Sequence, residues 1–248
     1  MTAIGPRSIR ASATDDLPRI LEGSGLSRGP VLVLVGGAGG LEAHHEVAVS
    51  VLIRDYLIPV LTQAGATVVD GGTDSGIMRA IGAARSDTGA QFQLVGVAAA
   101  GTVPSPGDAE ADAEAEVDPN HTHIVLVPGK VWGDESPWLS QVASALSVGH
   151  RSATLLVNGG EIAYSDVQQS LAVGRPLIVL AGSGRTADAI AAGASGLSVD
   201  ERAQRIAASP LVQSVSLDNP RAFSAVLAEA LSGATPAWQH PGLEADLQ

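Results

Sequence analysis

The 248-residue chain contains no cysteine. That excludes a disulfide scaffold, a thiolate metal site and a cysteine nucleophile. Aromatic residues make up only 3%, so Val, Leu, Ile and Ala must build the core. Lys130 is the only lysine, and 14 basic residues stand against 26 acidic ones, a net charge of -12. A phosphate-backbone interface requires many clustered cations, so no nucleic-acid partner is expected. A polybasic membrane patch is excluded on the same ground. A small anionic ligand stays open, because backbone N–H groups alone can hold one. No uninterrupted apolar run reaches the roughly 18–20 residues that span a bilayer. The opening MTAIGPRSIR lacks an apolar signal core. The expectations are therefore no membrane insertion and a cytoplasmic location.

What is present is a globular composition, with 45% hydrophobic and 16% charged residues. Residues 1–29 are polar and rich in Gly, Pro and Ser, and read as a flexible arm with a short helix around Asp15–Glu22. Pro30–Val35 (PVLVLV) is a continuous apolar run ending in Gly36-Gly37, the mark of a strand buried on both faces. Leu41–Ala64 has helical spacing and one proline, Pro59, where a kink is expected. Further strands are predicted at Ala66–Val69, Phe92–Ala98, Thr122–Val127, Thr154–Val157, Leu177–Ala181 and Val212–Ser216. Helices are predicted at Asp74–Asp87, Pro137–Val148, Tyr164–Ala172, Thr186–Ala192, Val199–Ala208 and Pro220–Leu231. Between them, Asp108, Glu110, Asp112, Glu114, Glu116 and Asp118 form a like-charged run, read as a solvated loop. Residues 233–248 read as a tail. The alternation predicts one α/β domain over 30–232: a Rossmann-like open, mainly parallel sheet with helices on both faces. Ligands in such sheets bind at the C-terminal ends of the strands.

Four loops that follow predicted strands are rich in glycine. They are Gly36-Gly37-Ala38-Gly39-Gly40, Gly71-Gly72-Thr73-Asp74-Ser75-Gly76, Asn158-Gly159-Gly160 and Gly182-Ser183-Gly184-Arg185. Loops without Cβ atoms let a ligand approach the backbone, and the N–H groups at a helix start face an anion. One such loop is an ordinary turn; four on one sheet edge point to a phosphate- or nucleotide-binding crevice. None matches GxxxxGK[ST] or GxGxxG, which disfavours an ordinary NTPase or NAD dehydrogenase. No GxSxG elbow or Ser-His-Asp order is present, so nothing supports acyl transfer.

The segment GGTDSGIMRAIGAA (Gly71–Ala84) resembles the GGGxxGLMGxxA signature of the SLOG superfamily. That superfamily includes the lonely-guy phosphoribohydrolases and the DNA-processing protein A family. VLVLVGGAGG, VVDGGTDSGIM, HTHIVLVPG, WGDESPW, LLVNGGEIAYSD and VLAGSGRTAD together resemble its prokaryotic LSDAT branch. The cytosolic N-terminal region of melastatin-type TRP channels belongs to the same wider family. The resemblance implies a Rossmann-like fold and a nucleotide-derived ligand, ADP-ribose- or NAD-like, and the superfamily's frequent dimers make a homodimer one option; no cofactor and no metal are expected. In the superfamily's hydrolases a PGGxGTxxE motif supplies a catalytic Glu. Here Ile162 and Ala163 replace its Gly and Thr, and Asp166 stands at the Glu position, with Glu161 as an alternative carboxylate. Binding or sensing is therefore favoured over N-glycosidic hydrolysis. A DNA-processing role is opposed by the net charge.

The expected ligand contacts are Gly36, Gly37, Ala38, Gly39, Gly72, Thr73, Ser75, Gly76, Gly129, Asn158, Gly159, Gly160, Glu161, Gly182, Ser183, Gly184 and Arg185. Arg185 at a helix start suits a phosphate; its other reading is a solvent-facing or carboxylate-paired arginine. Lys130 is either a ligand contact or a surface lysine. Trp132 either stacks on a base or anchors packing, and Asp134 and Glu135 are candidates for ribose hydroxyls. His121 and His123, two apart on a predicted strand, share a face; a structural role is favoured over metal binding.

Overall fold

The computed structural model describes residues 5–37, 43–104, 115–197 and 200–232. Ala38, Gly39 and Gly40, most of the acidic run and the tail lie outside the described residues. Among the described residues eight strands form one sheet: β1 (Arg7–Arg10), β2 (Val31–Gly36), β3 (Thr67–Asp70), β4 (Leu94–Ala99), β5 (His123–Val127), β6 (Ser152–Val157), β7 (Leu177–Ala181) and β8 (Val212–Ser216). Their order is β1-β5-β4-β3-β2-β6-β7-β8, and every pairing is parallel. The chain runs outward from β2 through β3 and β4 to β5. It then crosses back to β6 on the other side of β2. The sense of winding therefore reverses between β2 and β6, and that is where an open α/β sheet leaves a crevice at its C-terminal edge.

Helices cover both faces, which is why the central strands are largely apolar, with Thr67, Asp70 and Thr154 as buried polar exceptions. Along β2, Val31, Val33 and Val35 face one core and Leu32 and Leu34 the other, as the two-residue period of a strand dictates. The first core is closed by α1 (Leu17–Gly23), α5 (Ser136–Leu146), α6 (Glu161–Ala172), α7 (Arg185–Ala194) and α8 (Glu201–Ala207). The second is closed by α2 (Ala43–Leu52), α3 (Ile58–Ala64), α4 (Gly76–Thr88) and α9 (Pro220–Ser232). Each fully buried aliphatic side chain contributes about 1.5–3 kcal/mol.

Helix α2 runs into α3 through a π-helical turn, Ile53–Leu57, just before Pro59. Proline has no N–H and its ring clashes with the carbonyl four residues back; the wider turn relieves both. Glu46–Ala64 is long and apolar enough, by length and composition, to cross a membrane. The sequence reading missed this because Arg54 and Asp55 interrupt the run. The stretch lays Val49, Leu52, Ile53, Leu57, Ile58 and Leu61 into the second core.

Residues 7–26 are not the flexible arm that the sequence suggests. Strand β1 pairs with β5 from Arg7↔His123 to Arg10↔Leu126, and Ile9, Leu17, Leu21 and Leu26 are buried. The RSIR strand escapes recognition because only Ile9 faces a core, as suits a charged edge strand.

Candidate ligand-binding cleft

A cleft of about 650 Å³ opens at the reversal point. Its floor is the end of β2 with Gly36 and Gly37, and one wall is Gly71, Thr73, Ser75 and Met78 from the β3–α4 turn. The opposite wall is Trp132, Glu135 and Leu139. Gly160, Glu161 and Asp166 come from the N-terminal half of α6 and the residue before it, and Arg185 from the start of α7. All these elements meet because a parallel sheet brings the end of every strand to one edge.

Gly36 is packed as well as placed: an added Cβ would lie 2.7 Å from both Ile77 Cγ2 and Val157 O. Gly72 does not reach the cleft. It presses against β4 and β5, where a Cβ would come within 2.3 Å of Ile124 Cδ1 and 2.8 Å of Gly96 Cα, and its φ is +70°. The Thr73 and Ser75 hydroxyls lie 2.9 Å apart on the wall. Gly76 begins α4 behind them.

The loops after β6 and β7 clasp each other. Asn158 N–H donates to Ser183 Oγ at 2.8 Å, and Asn158 Nδ2 donates to Ser183 O at 2.9 Å. Ala187 N–H donates to Asn158 O and Thr186 Oγ1 to Gly160 O. Asn158 and Ser183, 2% and 0% exposed, therefore hold the two loops together and do not line the cleft. Gly159 packs on Ala163 and Thr186, Gly184 on Asn158, and Gly182 beside Leu217, so these three shape the loops from outside it. Gly129 packs on Asp134 and Ala99, likewise outside the lining. The clasp imposes left-handed backbone on two non-glycine residues, Asn158 (φ +58°) and Arg185 (φ +48°). Such strain is kept where surrounding structure enforces it, and it sets Arg185 in the cleft wall beside Gly160. Asp188 accepts from Gly182 N–H and steadies the same loop.

The acidic groups separate into two kinds. Glu161 is 79% exposed and pairs with Arg202 at 2.8 Å; the Arg202 hydrogen bond holds its pKa down. Arg202 also pairs with Asp200 and stacks on the Tyr164 ring at 4.1 Å. Asp166 lies a helical turn deeper. Burial raises its pKa to about 6, opposed by the Ser136 hydroxyl and assisted by repulsion from Glu135. Glu135, 9% exposed, is also raised by burial, although Gly133 N–H donates to its Oε2 at 2.9 Å. Of the two carboxylates proposed from sequence, Asp166 is in the cleft interior and Glu161 at its exposed rim. Asp134, by contrast, accepts from Lys130 N and Val131 N and shapes the turn that presents Trp132. Lys130 is exposed and does not line the cleft.

Behind the β3–α4 wall lies a group that sequence reading misplaced. His121 is not on a strand with His123; β5 begins at His123. His121 turns inward, with Nε2 2.8 Å from Asp70 Oδ1 and Nδ1 2.8 Å from Asp118 Oδ2. All three side chains are at most 1% exposed. With a carboxylate at each ring nitrogen, both nitrogens must donate, which makes the ring an imidazolium. Burial is the strongest single influence and lowers the pKa, but the two carboxylates together raise it to about 9. Asp118 therefore leaves the solvated run expected of it. Its N–H donates to Gly72 O, Asp74 N–H donates to Glu116 O, and Gly72 N–H donates to Asp70 Oδ1. The triad thus ties the 70–76 turn to the 115–121 segment. Nothing short of a long-range contact reveals it, since Asp70 and His121 are 51 residues apart.

Among the described residues no cluster of His, Asp and Glu has the makings of a metal site. A family model described as "SLOG in TRPM, prokaryote" matches residues 29–225. The chain belongs to the prokaryotic LSDAT family. The LSDAT match begins just before β2 and ends within α9, so it covers every element that lines the cleft. None of the curated proteins compared with the chain matches it.

Proposed function

We propose that this LSDAT protein binds a nucleotide-derived ligand, ADP-ribose- or NAD-like, in the cleft and acts as a sensing or binding module. The carrying observation is the meeting of the β2 and β3 glycine turns, the start of α6 and Arg185 at the reversal point of the sheet. Backbone N–H groups and one guanidinium there suit a diphosphate. The acidic surface of the chain steers nothing toward polynucleotides. A cytoplasmic location and a homodimer fit this reading. The test is a thermal-shift and calorimetric titration with ADP-ribose, NAD and AMP, followed by chromatography of the ligand. Stabilisation with intact ligand supports binding. Arg185→Ala is expected to weaken ADP-ribose binding about tenfold or more, the scale of a lost charge-assisted hydrogen bond. Unchanged affinity refutes the placement of the phosphates.

The second reading is N-glycosidic hydrolysis, favoured by one observation: the Asp166 carboxyl, held near pKa 6 in the cleft wall, is suited to proton transfer. Release of free base, abolished by Asp166→Asn, supports it.

A further inference from the structure

The cleft has two chemically different regions. Arg185, the cation in its lining among the described residues, acts on Glu161 at the rim. Glu135 and Asp166 face the interior, and among the described residues neither makes an ion pair. Next to Glu135 in the chain, the fully buried Ser136 hydroxyl acts on the Asp166 carboxyl from behind the lining. Trp132 and Leu139 line the same wall as Glu135, and Met78 lines the facing one. Buried carboxylates ordinarily have a cation or several donors; Glu135 accepts from Gly133 N–H, but two carboxylates without a cation in a cleft that also holds an aromatic side chain are the chemistry that receives one.

We infer that Trp132, Glu135 and Asp166 form a cation-accepting subsite, which selects a ligand whose N-ribosyl ring is positively charged over one whose ring is neutral. This deepens, and rests on, the proposed binding of an NAD-like molecule. The ring cation would lie over the indole and between the two carboxylates, while the phosphates take Arg185 and the glycine turns. The apolar neighbours exclude water and strengthen the attraction.

Oxidised NAD and NADH separate the two cases, since they share every group except the charged ring. Calorimetry on the full chain with ADP-ribose, NAD and NADH is the experiment. NAD should bind about tenfold tighter than NADH to the wild type. That ratio should fall to about threefold or less in Glu135→Gln, Asp166→Asn and Trp132→Leu. A ratio within one protein is insensitive to a general loss of folded material, and three variants guard against one that fails to fold. If ADP-ribose binds but NAD and NADH bind alike, the cation subsite is refuted and the proposed function stands. If the tenfold preference survives all three substitutions, these residues do not make it. If none of the three ligands binds, the proposed function fails and the subsite with it.

Discussion

Neutralising His121 should weaken the fold in a manner that depends on pH. In the folded chain the imidazolium bridges Asp70 and Asp118 and its pKa is about 9, against an ordinary value of 6.5. A group whose folded pKa is raised contributes stability that is complete below the unfolded pKa and is lost as pH rises through the folded one. Here the window runs from pH 6.5 to somewhat above 9. The difference of about 2.5 units corresponds to roughly 3 kcal/mol, of which most is still present at pH 7. Urea titrations of the wild type from pH 6 to pH 10 should therefore show stability falling by about 2–3 kcal/mol across that range. His121→Asn keeps one donor but cannot serve two carboxylates. It leaves a buried charge without its partner and should cost about 3–5 kcal/mol at pH 7. Its own stability should vary far less between pH 7 and pH 10. Imidazole-nitrogen NMR gives an independent reading of the same pKa. A stability profile as flat in the wild type as in His121→Asn, or a ring that titrates near 6.5, would refute the imidazolium bridge.

Three further outcomes follow from the geometry. Asp166→Asn should stabilise the chain at pH 7.5 by up to about 3 kcal/mol, since the carboxyl is raised from 3.8 to about 6. The gain should disappear in urea titrations at pH 4, where the wild-type carboxyl is protonated in the fold. Gly72→Ala places a methyl group against Ile124 and Gly96 at φ +70° and should destabilise by about 1–3 kcal/mol, read as a lowered urea midpoint; an unchanged midpoint would mean that β4 and the turn can separate freely. Arg175, 2% exposed, donates to the hydroxyls of Ser140, Ser144, Ser152 and Ser170 and to Ser140 O. Arg175→Ala removes all these donors at once and should lower stability by at least about 2 kcal/mol.

Some of this molecule is plain in its sequence because the determinants are local. PVLVLV can only be a two-faced strand, and LIVLA and VQSVS coincide with β7 and β8. The glycine turns announce the strand ends by composition. Their separate duties do not show, because these are decided by contacts across the fold. Asn158 and Ser183 look like ligand donors until the loops are brought together, and then the Asn158 N–H and Nδ2 donate to Ser183. Glu161 and Asp166 are five residues apart on one helix, yet Arg202, some forty residues later, draws only the first to the surface. His121 is shaped by two carboxylates from separate segments, and the pattern of a strand hides it. The crossing from β5 back to β6, which creates the cleft, depends on strand order and is invisible to periodicity.

Strand β1 has a consequence for the order of assembly. Residues 7–10 are made more than a hundred residues before their partner β5, whose register needs residues 123–126. On the ribosome the β1 segment must therefore wait, unpaired, while β2, β3 and β4 are synthesised and free to associate. It can zip onto the sheet only after β5 has emerged. Such a late, long-range closure is slow for reasons of chain entropy. Until it happens, the outer edge of β5 is an open template for another nascent chain. The arginines at both ends of RSIR guard the finished edge, but they protect nothing until the strand has docked. A bulky fusion at the start of the chain would then be felt first as aggregation during synthesis and only second as lost stability.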